Sequence, residues 1–560
     1  MDEKSIGTTA AKHPSPPGLK HTFGTAGFRA NADTLDHVFF TVGLLAVLRS
    51  KKLAGQTIGV MVTASHNPVQ DNGIKLVDPQ GEMLVSSWES HATLLANSSD
   101  LASSLKEIIS SDSIDFNQPA KLIFGHDTRP SCARLSNAFK DGVKALDPSA
   151  QLVESGLKTT PQLHYLVKCI NDGGSYGAPT EEGYYKKLSD AFIALNVSIF
   201  FFFFVPLFHL LMRKVYPSKT RGMAGTTTPY TLMVDCANGV GAPKLKAMEP
   251  YLKSSALQLK LLSTDVESSE KLNKDCGADY VKTTQSAPSR VTLEPLARAC
   301  SYDGDADRIV YYYYSKDKTF RLMDGDKIAT LVASYIKELV ELEAPEIKQD
   351  LKVGVVQTAY ANGNSTRYIK EQLGLAITCT PTGVKHLHHA AQTFDIGTYF
   401  EANGHGTVVF SETLLKKLPS NSKLLSLAGL INQTVGDSMS DMLLVETVLN
   451  ARGWGMAEWD AKYEELPNRL VKVIVTDRHA FVTEDAERIL VKPDEMQLKI
   501  NQIVSAYPSA RSFVRPSGTE DCVRVYAEAA TKEATDELAF KVAGMVFDFC
   551  GKGDKPKEFL

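Results

Sequence analysis

Short apolar segments that are followed by polar, glycine-rich sequence constrain the fold of this chain more than any other feature. Four of them read as buried strands: residues 57–62 (TIGVMV), 121–125 (KLIFG), 231–234 (TLMV) and 351–356 (LKVGVV). The last is followed by the helix-like residues 362–373. Apolar strands that alternate with helices predict parallel α/β layers. Because open α/β sheets bind ligands beyond the carboxyl ends of their strands, we expect functional residues there.

The C-terminal part of the chain has a different pattern. Residues 470–476 (LVKVIVT) and 523–527 (VRVYA) alternate in the manner of strands, and residues 495–507 and 534–549 have helical periodicity. This predicts a separate α+β domain. The chain of 560 residues is too long for one hydrophobic core, since such chains divide into units of roughly 100–200 residues. We expect about four domains.

Charge and cysteine usage exclude several classes of protein. The formal net charge is −4, so the basic excess of nucleic-acid binders is missing and no nucleic-acid partner is expected. The 8 cysteines are scattered without a CxxC pair, which argues against a disulfide framework or a zinc site. Residues 1–17 lack the apolar region of a signal peptide. We therefore expect a cytoplasmic protein with reduced cysteines.

The acidic segment DGDADR is the first candidate site. Its three carboxylates, those of Asp303, Asp305 and Asp307, have a spacing that can converge on one hard cation. An EF-hand loop is excluded, because Arg308 and Tyr314 stand where that loop needs glycine and glutamate. A solvated acidic turn is the alternative. Since Mg²⁺ keeps water and phosphate oxygens in its shell, the segment predicts a phosphate-bearing partner.

The segment TASHNP at residues 63–68 is the second candidate site, directly after the strand at residues 57–62. The adjacent Ser65 and His66 could suggest a hydrolase, but the chain has no GxSxG nucleophile elbow. A serine that carries a phosphoryl group and faces the metal fits the pattern better. A turn or helix N-cap is the alternative.

The segment RPSGTED at residues 515–521, with Arg524 after it, is the third candidate site. A guanidinium, two hydroxyls and a glycine-freed backbone form a cradle for an anion. An ordinary polar turn is the alternative.

The segment EANGHG at residues 401–406 is the fourth candidate site. Glu401 accepts hydrogen bonds, Asn403 both donates and accepts them, and the glycines let the backbone approach a ligand. This suits a polyhydroxylated sugar, and a plain loop is the alternative.

Four segments follow one another along the chain in the order TASHNP, DGDADR, EANGHG and RPSGTED. Taken together in this order, they resemble the α-D-phosphohexomutase superfamily and, within it, the phosphoacetylglucosamine mutase family. Residues 23–29 (FGTAGFR) and 71–75 (DNGIK) match its opening motif and the motif after its serine. The resemblance covers nearly the whole chain. Glucose- and mannose-type relatives usually carry Glu-x-Ser in the sugar loop, whereas this chain has Glu401 and Asn403.

The resemblance implies an α/β fold with the four-domain phosphohexomutase architecture. Three related mixed-sheet α/β domains and a C-terminal α+β domain would surround a central cleft, each giving one loop. The implied domains are residues 1–180 with the phosphoserine loop, 181–315 with the metal loop, 316–450 with the sugar-binding loop, and 451–560 with the phosphate-binding loop.

The resemblance also implies a reaction. A phosphorylated Ser65 would donate its phosphoryl group to a sugar hydroxyl, form a 1,6-bisphosphate and recover the other phosphate. The substrates would be N-acetylglucosamine 6-phosphate and 1-phosphate, on the route to UDP-N-acetylglucosamine. The alternatives are a glucose or mannose phosphomutase, and a catalytically silent protein that binds sugar phosphates. The sequence does not indicate an oligomeric state.

The site residues carried over from the resemblance fall into three groups. The metal ligands for Mg²⁺ would be Ser65, Asp303, Asp305 and Asp307, and the catalytic residues would be Ser65, Arg29, Lys75 and His66. The substrate-binding residues would be Glu401, Ala402, Asn403, Arg515, Pro516, Ser517, Gly518, Thr519 and Arg524.

One apolar segment, residues 191–212 (AFIALNVSIFFFFFVPLFHLLM), departs from the family, which lacks residues 197–221. About 20 apolar residues can span a bilayer. A membrane span here would place Ser65 and Asp303 on opposite sides and prevent a common cleft, so a membrane location is not expected. A surface loop of this kind would expose an apolar patch that favours aggregation. We interpret the extra residues as retained intron sequence, because Phe, Leu, Pro and Ser have pyrimidine-rich codons, and introns contain pyrimidine-rich tracts.

Overall fold

The structure is a computed structural model, and it describes five stretches of the chain: residues 2–24, 27–196, 229–343, 345–517 and 521–559. The chain divides into two compact units. The first unit consists of Met1–Asp324, Asn403–Thr407 and Pro419–Ala457. The second unit consists of Gly325–Ala402, Val408–Leu418 and Glu458–Leu560.

The first unit contains a five-stranded mixed sheet in the order β1-β3-β2-β4-β5. Its strands are β1 Phe28–Asn31, β2 Thr57–Val62, β3 Asp71–Val77, β4 Lys121–His126 and β5 Gln151–Leu157. The strands β2, β4 and β5 are parallel, and β3 is antiparallel to its neighbours β1 and β2. All six residues of β2 are buried, as expected for a central strand covered on both faces. The predicted strand at residues 57–62 is confirmed.

The described helices of this part of the chain are Glu3–Ala10, Asp36–Lys52, Glu89–Asn97, Leu101–Ser111, Cys132–Leu146, Thr160–Asn171 and Glu181–Asn196. The helix Asp36–Lys52 packs along Cys132–Leu146, and Gly43 and Gly142 permit the close approach. A Cβ added at Gly142 would lie 2.0 Å from the carbonyl oxygen of Phe40.

The second sheet of the first unit has the order β10-β9-β8-β6-β7. Its strands are β6 Tyr230–Asp235, β7 Leu257–Leu262, β8 Ala299–Tyr302, β9 Ile309–Tyr314 and β10 Phe320–Met323. Helices Gly241–Leu252, Ala278–Thr284, Lys423–Leu430 and Ser438–Arg452 belong to the same unit. Strands β8 and β9 pair antiparallel, with Tyr302 opposite Ile309. The acidic segment is therefore the loop of a hairpin.

A further sheet has the order β12-β11-β13-β14. Its strands are β11 Val353–Thr358, β12 Ala376–Thr380, β13 Ile396–Phe400 and β14 Gly406–Phe410, and all of them except residues 406–407 belong to the second unit. Its helices are Gly325–Glu343, Gly363–Arg367, Val384–Ala391 and Glu412–Leu415, with a π-helix at Tyr368–Leu373. The strand predicted at residues 351–356 begins two residues later, and the predicted helix at residues 362–373 is confirmed as an α-helical turn followed by the π-helix.

The C-terminal part of the second unit is an α+β arrangement, as predicted. Strands β15 Asn468–Ile474, β18 Arg511–Pro516 and β19 Cys522–Glu528 form a sheet in the order β15-β19-β18, beside the hairpin of β16 Val482–Glu484 and β17 Ile489–Lys492. Its helices are Met496–Val504 and Lys532–Cys550, and the short helix Met456–Asp460 begins in the first unit and ends in the second. Short 3-10 helices occur in both units at Ala32–Thr34, Ser86–Trp88, Ser269–Lys271, Arg478–Ala480 and Lys557–Phe559.

The extra residues 197–221 lie outside the described residues, but the chain on either side is anchored on one helix, Ser438–Arg452. The Asn196 amide donates to the Thr447 hydroxyl at 3.1 Å. On the other side, Arg298 lies over the Tyr230 ring at 5.2 Å and donates to Glu446 at 2.8 Å. Glu446 and Thr447 are adjacent, so Asn196 directly, and Tyr230 through Arg298, are linked to neighbouring residues of one helix. Among the described helices, none is long and apolar enough to cross a membrane.

Candidate active site

Ser65 lies directly after the buried strand β2 and is itself buried. Its φ angle is +49°, a left-handed conformation that is unfavourable for a residue with a Cβ. The Ser65 N–H donates to the Thr63 hydroxyl oxygen at 2.9 Å, and that hydroxyl donates to Asp127 at 2.7 Å. Backbone strain of this kind persists where surrounding contacts impose it, which is common at functional sites.

Arg129 holds the loop that carries Ser65. Its guanidinium is buried and donates to the carbonyl oxygens of four loop residues and to the Asp127 carboxylate. The four carbonyls and their distances are Ser65 at 2.9 Å, Asn67 at 2.8 Å, Pro68 at 2.6 Å and Asp71 at 2.8 Å. Arg129 thus fixes the loop through the carbonyl groups of its backbone.

The acidic hairpin loop offers three buried carboxylates to a cation. The Asp303 Oδ1 atom accepts from the N–H groups of Asp307 at 3.1 Å and Arg308 at 3.2 Å. Asp303, Asp305 and Asp307 each keep one buried oxygen that has no hydrogen-bond partner within the described residues. Ligand atoms of the three side chains lie within 4.8 Å of one another. Buried unpartnered carboxylate oxygens at this spacing fit a small divalent cation.

The structure brings Ser65 to this hairpin loop. The Ser65 Oγ donates to Asp305 Oδ2 at 3.0 Å, although 240 positions separate the two residues. A Cβ added at Gly304 would lie 2.6 Å from the Ser65 carbonyl oxygen, so the contact requires glycine there. Asn273 donates to the same carbonyl at 2.9 Å. The predicted neighbourhood of the serine and the acidic segment is therefore present in the first unit.

Two of the predicted cationic residues surround the Ser65 hydroxyl. Arg29 Nη2 donates to Ser65 Oγ at 2.9 Å. Lys75 Nζ donates to Ser65 Oγ at 3.2 Å, to Asp305 at 3.2 Å and to Asp307 at 3.3 Å. Positive charge at this oxygen would stabilise a phosphoryl group placed on it.

Burial and neighbouring charges separate the pKa values of the aspartates. Burial, followed by the charges of Asp307 and Asp305, raises the pKa of Asp303 well above its ordinary value. Burial also acts on Asp307, but Lys75 and His405 outweigh it and hold the pKa of Asp307 well below its ordinary value. For Asp305, burial and the Asp307 charge oppose Lys75 and a bond from Thr160, and its pKa is lowered on balance.

His66 lies beside the cationic side chains. Burial, followed by the charges of Arg308 and Arg29, lowers the pKa of His66 to about 3, so its imidazole is neutral near pH 7. Its Nδ1 is buried without a hydrogen-bond partner in the described part of the chain. The role of His66 in positioning or proton transfer stays a prediction.

Sequence reasoning missed two polar residues in contact with the aspartates. Thr160 donates through its hydroxyl to Asp305 Oδ2 at 2.5 Å, at the start of the helix Thr160–Asn171. His405 is buried, with Nδ1 3.5 Å from Asp307 Oδ1. The Thr-Thr-Pro start of the helix and the glycines that flank His405 are local signals, but neither identifies the partner aspartate.

Gly404 serves a protein contact within the first unit. Its φ is +86°, and a Cβ there would lie 1.9 Å from the Ile309 carbonyl oxygen. The Ile309 N–H donates to the Gly404 carbonyl at 3.1 Å. Asn403 Oδ1 accepts from the His405 N–H at 2.9 Å. The expectation that these glycines serve a ligand is corrected for Gly404, which lets the loop pack on the acidic hairpin.

The predicted sugar-binding residues Glu401 and Ala402 follow β13 directly and are half-buried in the second unit. The strand β13 is parallel to β11, so both residues lie at the carboxyl end of a parallel strand. This is where open α/β sheets place ligands.

The predicted phosphate-binding residues lie on two paired strands of the second unit. Arg515 of β18 is directly opposite Arg524 of β19, and cross-strand partners share one face of a sheet. Like charges at such positions are destabilising, and the Glu487 carboxylate, which accepts from Arg515 Nε at 2.7 Å, offsets part of this repulsion. Pro516 ends β18, and the N–H of the buried Ser517 donates to the Cys522 carbonyl at 2.9 Å. The predicted residues Gly518 and Thr519 lie outside the described residues.

A buried serine hydroxyl between two cations and three clustered carboxylates is suited to phosphoryl transfer, which depends on positioning and charge neutralisation. Together with the mixed α/β sheets, this site defines the class of protein as a phosphohexomutase-type phosphotransferase.

Comparison with protein families gives four matches along the chain. The descriptions are phosphoglucomutase/phosphomannomutase alpha/beta/alpha domain I at residues 44–103, phosphoacetylglucosamine mutase AMG1 domain II at 191–310 and domain III at 324–454, and phosphoglucomutase/phosphomannomutase C-terminal domain at 470–545.

Curated relatives and solved structures match over almost their whole length. The phosphoacetylglucosamine mutases of Sus scrofa and Homo sapiens are 50% and 49% identical, over 100% of this chain and 99% of theirs. The crystal structure of Aspergillus fumigatus N-acetylphosphoglucosamine mutase in complex with GlcNAc-6P and magnesium is 48% identical. It has a TM-score of 0.88 and covers 97% of this chain and 98% of that chain.

The chain therefore belongs to the phosphoacetylglucosamine mutase family. The predicted family and the predicted four-domain phosphohexomutase fold are confirmed. The predicted domain boundaries stay a prediction.

Proposed function

We propose that this chain interconverts N-acetylglucosamine 6-phosphate and N-acetylglucosamine 1-phosphate through a phosphorylated Ser65. The observation that carries the proposal is the buried Ser65 Oγ, 3.0 Å from Asp305 and within hydrogen-bond distance of Arg29 and Lys75. The relatives are named phosphoacetylglucosamine mutases, and one solved relative is in complex with GlcNAc-6P. The reaction would supply the 1-phosphate for UDP-N-acetylglucosamine synthesis in the cytoplasm.

In the forward step, the bond between phosphorus and Ser65 Oγ breaks as a bond from phosphorus to the sugar hydroxyl oxygen forms, and the hydroxyl proton passes to Ser65 Oγ. In the return step, the bond between the sugar oxygen and the other phosphorus breaks as Ser65 Oγ bonds to that phosphorus, and the serine proton passes to the sugar oxygen. Arg29 and Lys75 neutralise the phosphoryl oxygens throughout. The bonds from Arg129 keep the serine loop from moving, which preserves the in-line geometry that such transfer needs.

Mg²⁺ is the cofactor that the site accommodates. Asp303, Asp305 and Asp307 would hold it with the carboxylate oxygens that lack hydrogen-bond partners within the described stretches. When bound, the ion would neutralise charge on the phosphoryl group and would take an oxygen of phosphorylated Ser65 as a ligand. The Aspergillus fumigatus relative was solved with magnesium.

The predicted substrate-binding residues stay proposals. We propose that Arg515, Arg524 and Ser517 bind the phosphate that does not react, together with the predicted Pro516, Gly518 and Thr519. Glu401 and Ala402, with Asn403, would bind the sugar. The proposed domains remain 1–180, 181–315, 316–450 and 451–560.

Transfer of label from sugar 1,6-bisphosphate to Ser65 tests the proposal. The wild type is expected to incorporate ³²P, and Ser65→Ala is expected to lose incorporation and turnover. Ser90→Ala changes an exposed serine and serves as the matched control. A wild type that takes up no label would refute the mutase and favour the catalytically silent sugar-phosphate-binding protein.

A glucose or mannose phosphomutase is the second candidate, because two parts of the chain match phosphoglucomutase/phosphomannomutase domains. Asn403 stands where those enzymes usually have serine. Turnover ratios for N-acetylglucosamine 1-phosphate and glucose 1-phosphate separate the two candidates. Higher turnover of the N-acetylated substrate supports the first proposal, and the reverse ratio supports the second.

A further inference from the structure

The tip of the hairpin β16–β17 in the second unit is strained. Asp485, Ala486 and Glu487 have φ angles of +50°, +53° and +67°, so three consecutive residues that carry a Cβ occupy the left-handed region. Each such residue costs free energy, and the conformation persists only where neighbouring contacts require it. Arg488 closes the turn by donating to the Asp485 carboxylate at 2.6 Å. Contacts made by Glu487 stabilise this strained conformation.

Glu487 uses both carboxylate oxygens. Its Oε1 accepts from Arg515 Nε at 2.7 Å. Its Oε2 accepts from the Thr382 N–H at 2.9 Å and from the Thr382 hydroxyl at 2.6 Å. Thr382 follows the strand β12 at its carboxyl end. Glu487, at the strained tip, therefore links the Arg515 guanidinium on β18 to the loop after β12.

The pairing is sheltered from solvent. The Glu487 and Arg515 side chains are 17% and 18% exposed, so their attraction is screened less than that of a surface pair. Burial alone would lower the pKa of Arg515, but the Glu487 carboxylate reverses this and raises it. Arg515 is held charged and in one orientation.

The bond from Glu487 engages Nε and not the terminal Nη groups of Arg515. A guanidinium has five N–H donors in one plane, and phosphate is recognised by pairs of parallel N–H groups. Fixing the plane through Nε therefore presets the direction of the Nη groups. Arg524 lies directly opposite in the sheet and adds a second positive charge on the same face.

We propose that Glu487 is a positioning residue for substrate phosphate, which acts by orienting Arg515 and by linking it to Thr382. The inference rests on the proposed function, because it assumes that Arg515 binds a phosphate of the sugar substrate. Because this phosphate is not the one transferred, the expected effect is on binding shared by ground and transition states.

Glu487→Gln is the main test. The glutamine amide has one accepting and one donating end, so it cannot accept from Arg515 and Thr382 at the same time. We expect KM for N-acetylglucosamine 6-phosphate to rise about tenfold and kcat to stay within about twofold. Glu484→Gln makes the same change at an exposed position of the same hairpin, and its KM should match the wild type.

A double-mutant cycle separates positioning from a structural role. Lysine at 515 lacks the Nε–H that Glu487 accepts, so Glu487→Gln in an Arg515→Lys background should add less than a twofold change in KM. An additive tenfold change there would overturn the inference, as would an unchanged KM in Glu487→Gln alone. If Glu487→Gln does not fold, Thr382→Val removes one bond to Oε2. It should raise KM about threefold at constant kcat, and a wild-type KM would overturn the inference.

Calorimetric binding of N-acetylglucosamine 6-phosphate distinguishes the inference from the proposed function. If the wild-type protein shows no turnover, the proposed function is refuted but the inference about Glu487 is not. Weaker binding by Glu487→Gln than by the wild type would still support positioning of Arg515, and equal binding by the two proteins would overturn it.

Discussion

Arg129→Lys is the substitution for which the structure allows the most direct estimate. The Arg129 side chain is buried, with 0% of its surface exposed, and makes five hydrogen bonds. Four of these bonds fix backbone carbonyls of the loop that carries Ser65. Lysine preserves the positive charge that Asp127 needs, so the change isolates the geometry of the guanidinium.

The magnitude follows from counting donors. A lysine ammonium has three N–H groups, so at least two of the five acceptors lose their donor. An unsatisfied buried polar group costs about 1–3 kcal/mol, so Arg129→Lys should lower the free energy of unfolding by about 2–6 kcal/mol. The serine loop should also lose its fixed position, and phosphoryl transfer should slow even under conditions where the protein is folded.

Urea unfolding and mutase turnover at low temperature measure the two effects. Arg134→Lys is the matched control, because Arg134 is 42% exposed and pairs with surface aspartates, where a substitution should cost less than about 1 kcal/mol. If Arg129→Lys unfolds within about 0.5 kcal/mol of the wild type and turns over normally, the reasoning about buried donors is refuted.

Three further predictions concern the metal, pH and the extra segment. Asp303→Asn should abolish the rise in melting temperature that Mg²⁺ causes. The metal-free variant should be at least as stable as the wild type, because burial raises the pKa of Asp303 and so disfavours its charged form. Calorimetric scans with and without Mg²⁺ measure both effects. Burial lowers the pKa of His164 to about 4, so the unfolded chain binds a proton that the folded chain excludes. Stability should therefore fall by about 3 kcal/mol between pH 6.5 and 4, and urea titrations of His164→Asn should show a shallower decline. Deleting residues 197–221 should preserve turnover, because Asn196 directly, and Tyr230 through Arg298, are linked to adjacent residues of one helix. Loss of folding or turnover on deletion would contradict this.

Several elements could be predicted because their signals are local. The strand β2 is a continuous apolar run bounded by polar text, and all six of its residues are buried. The acidic segment could be recognised as a cation site from three carboxylates at alternate positions. The predicted start of β11 is two residues early, because Leu351 is apolar but lies before the first paired residue, Val353.

Other site residues could not be predicted, because their partners are distant in the chain. Thr160 meets Asp305 across 145 positions, and Glu487 meets Thr382 across 105. Such contacts depend on how strands from separate segments are paired, and no local periodicity encodes them. The role of Gly404 could not be predicted for the same reason, because its missing Cβ lets the backbone pack against the distant Ile309 and not against a ligand.

The family, the order of the loops and the chemical groups available follow from the sequence: a hydroxyl, three carboxylates and several guanidinium groups. Which of these atoms meet depends on how the chain folds. The Ser65 hydroxyl lies 3.0 Å from Asp305 because the loop after β2 and the β8–β9 hairpin loop pack against each other. Gly304 leaves room for the Ser65 carbonyl, and Arg129 and Asn273 hold that carbonyl in place. Convergence of this kind is a property of packing, because steric fit and buried hydrogen bonds are settled only when the separate segments meet.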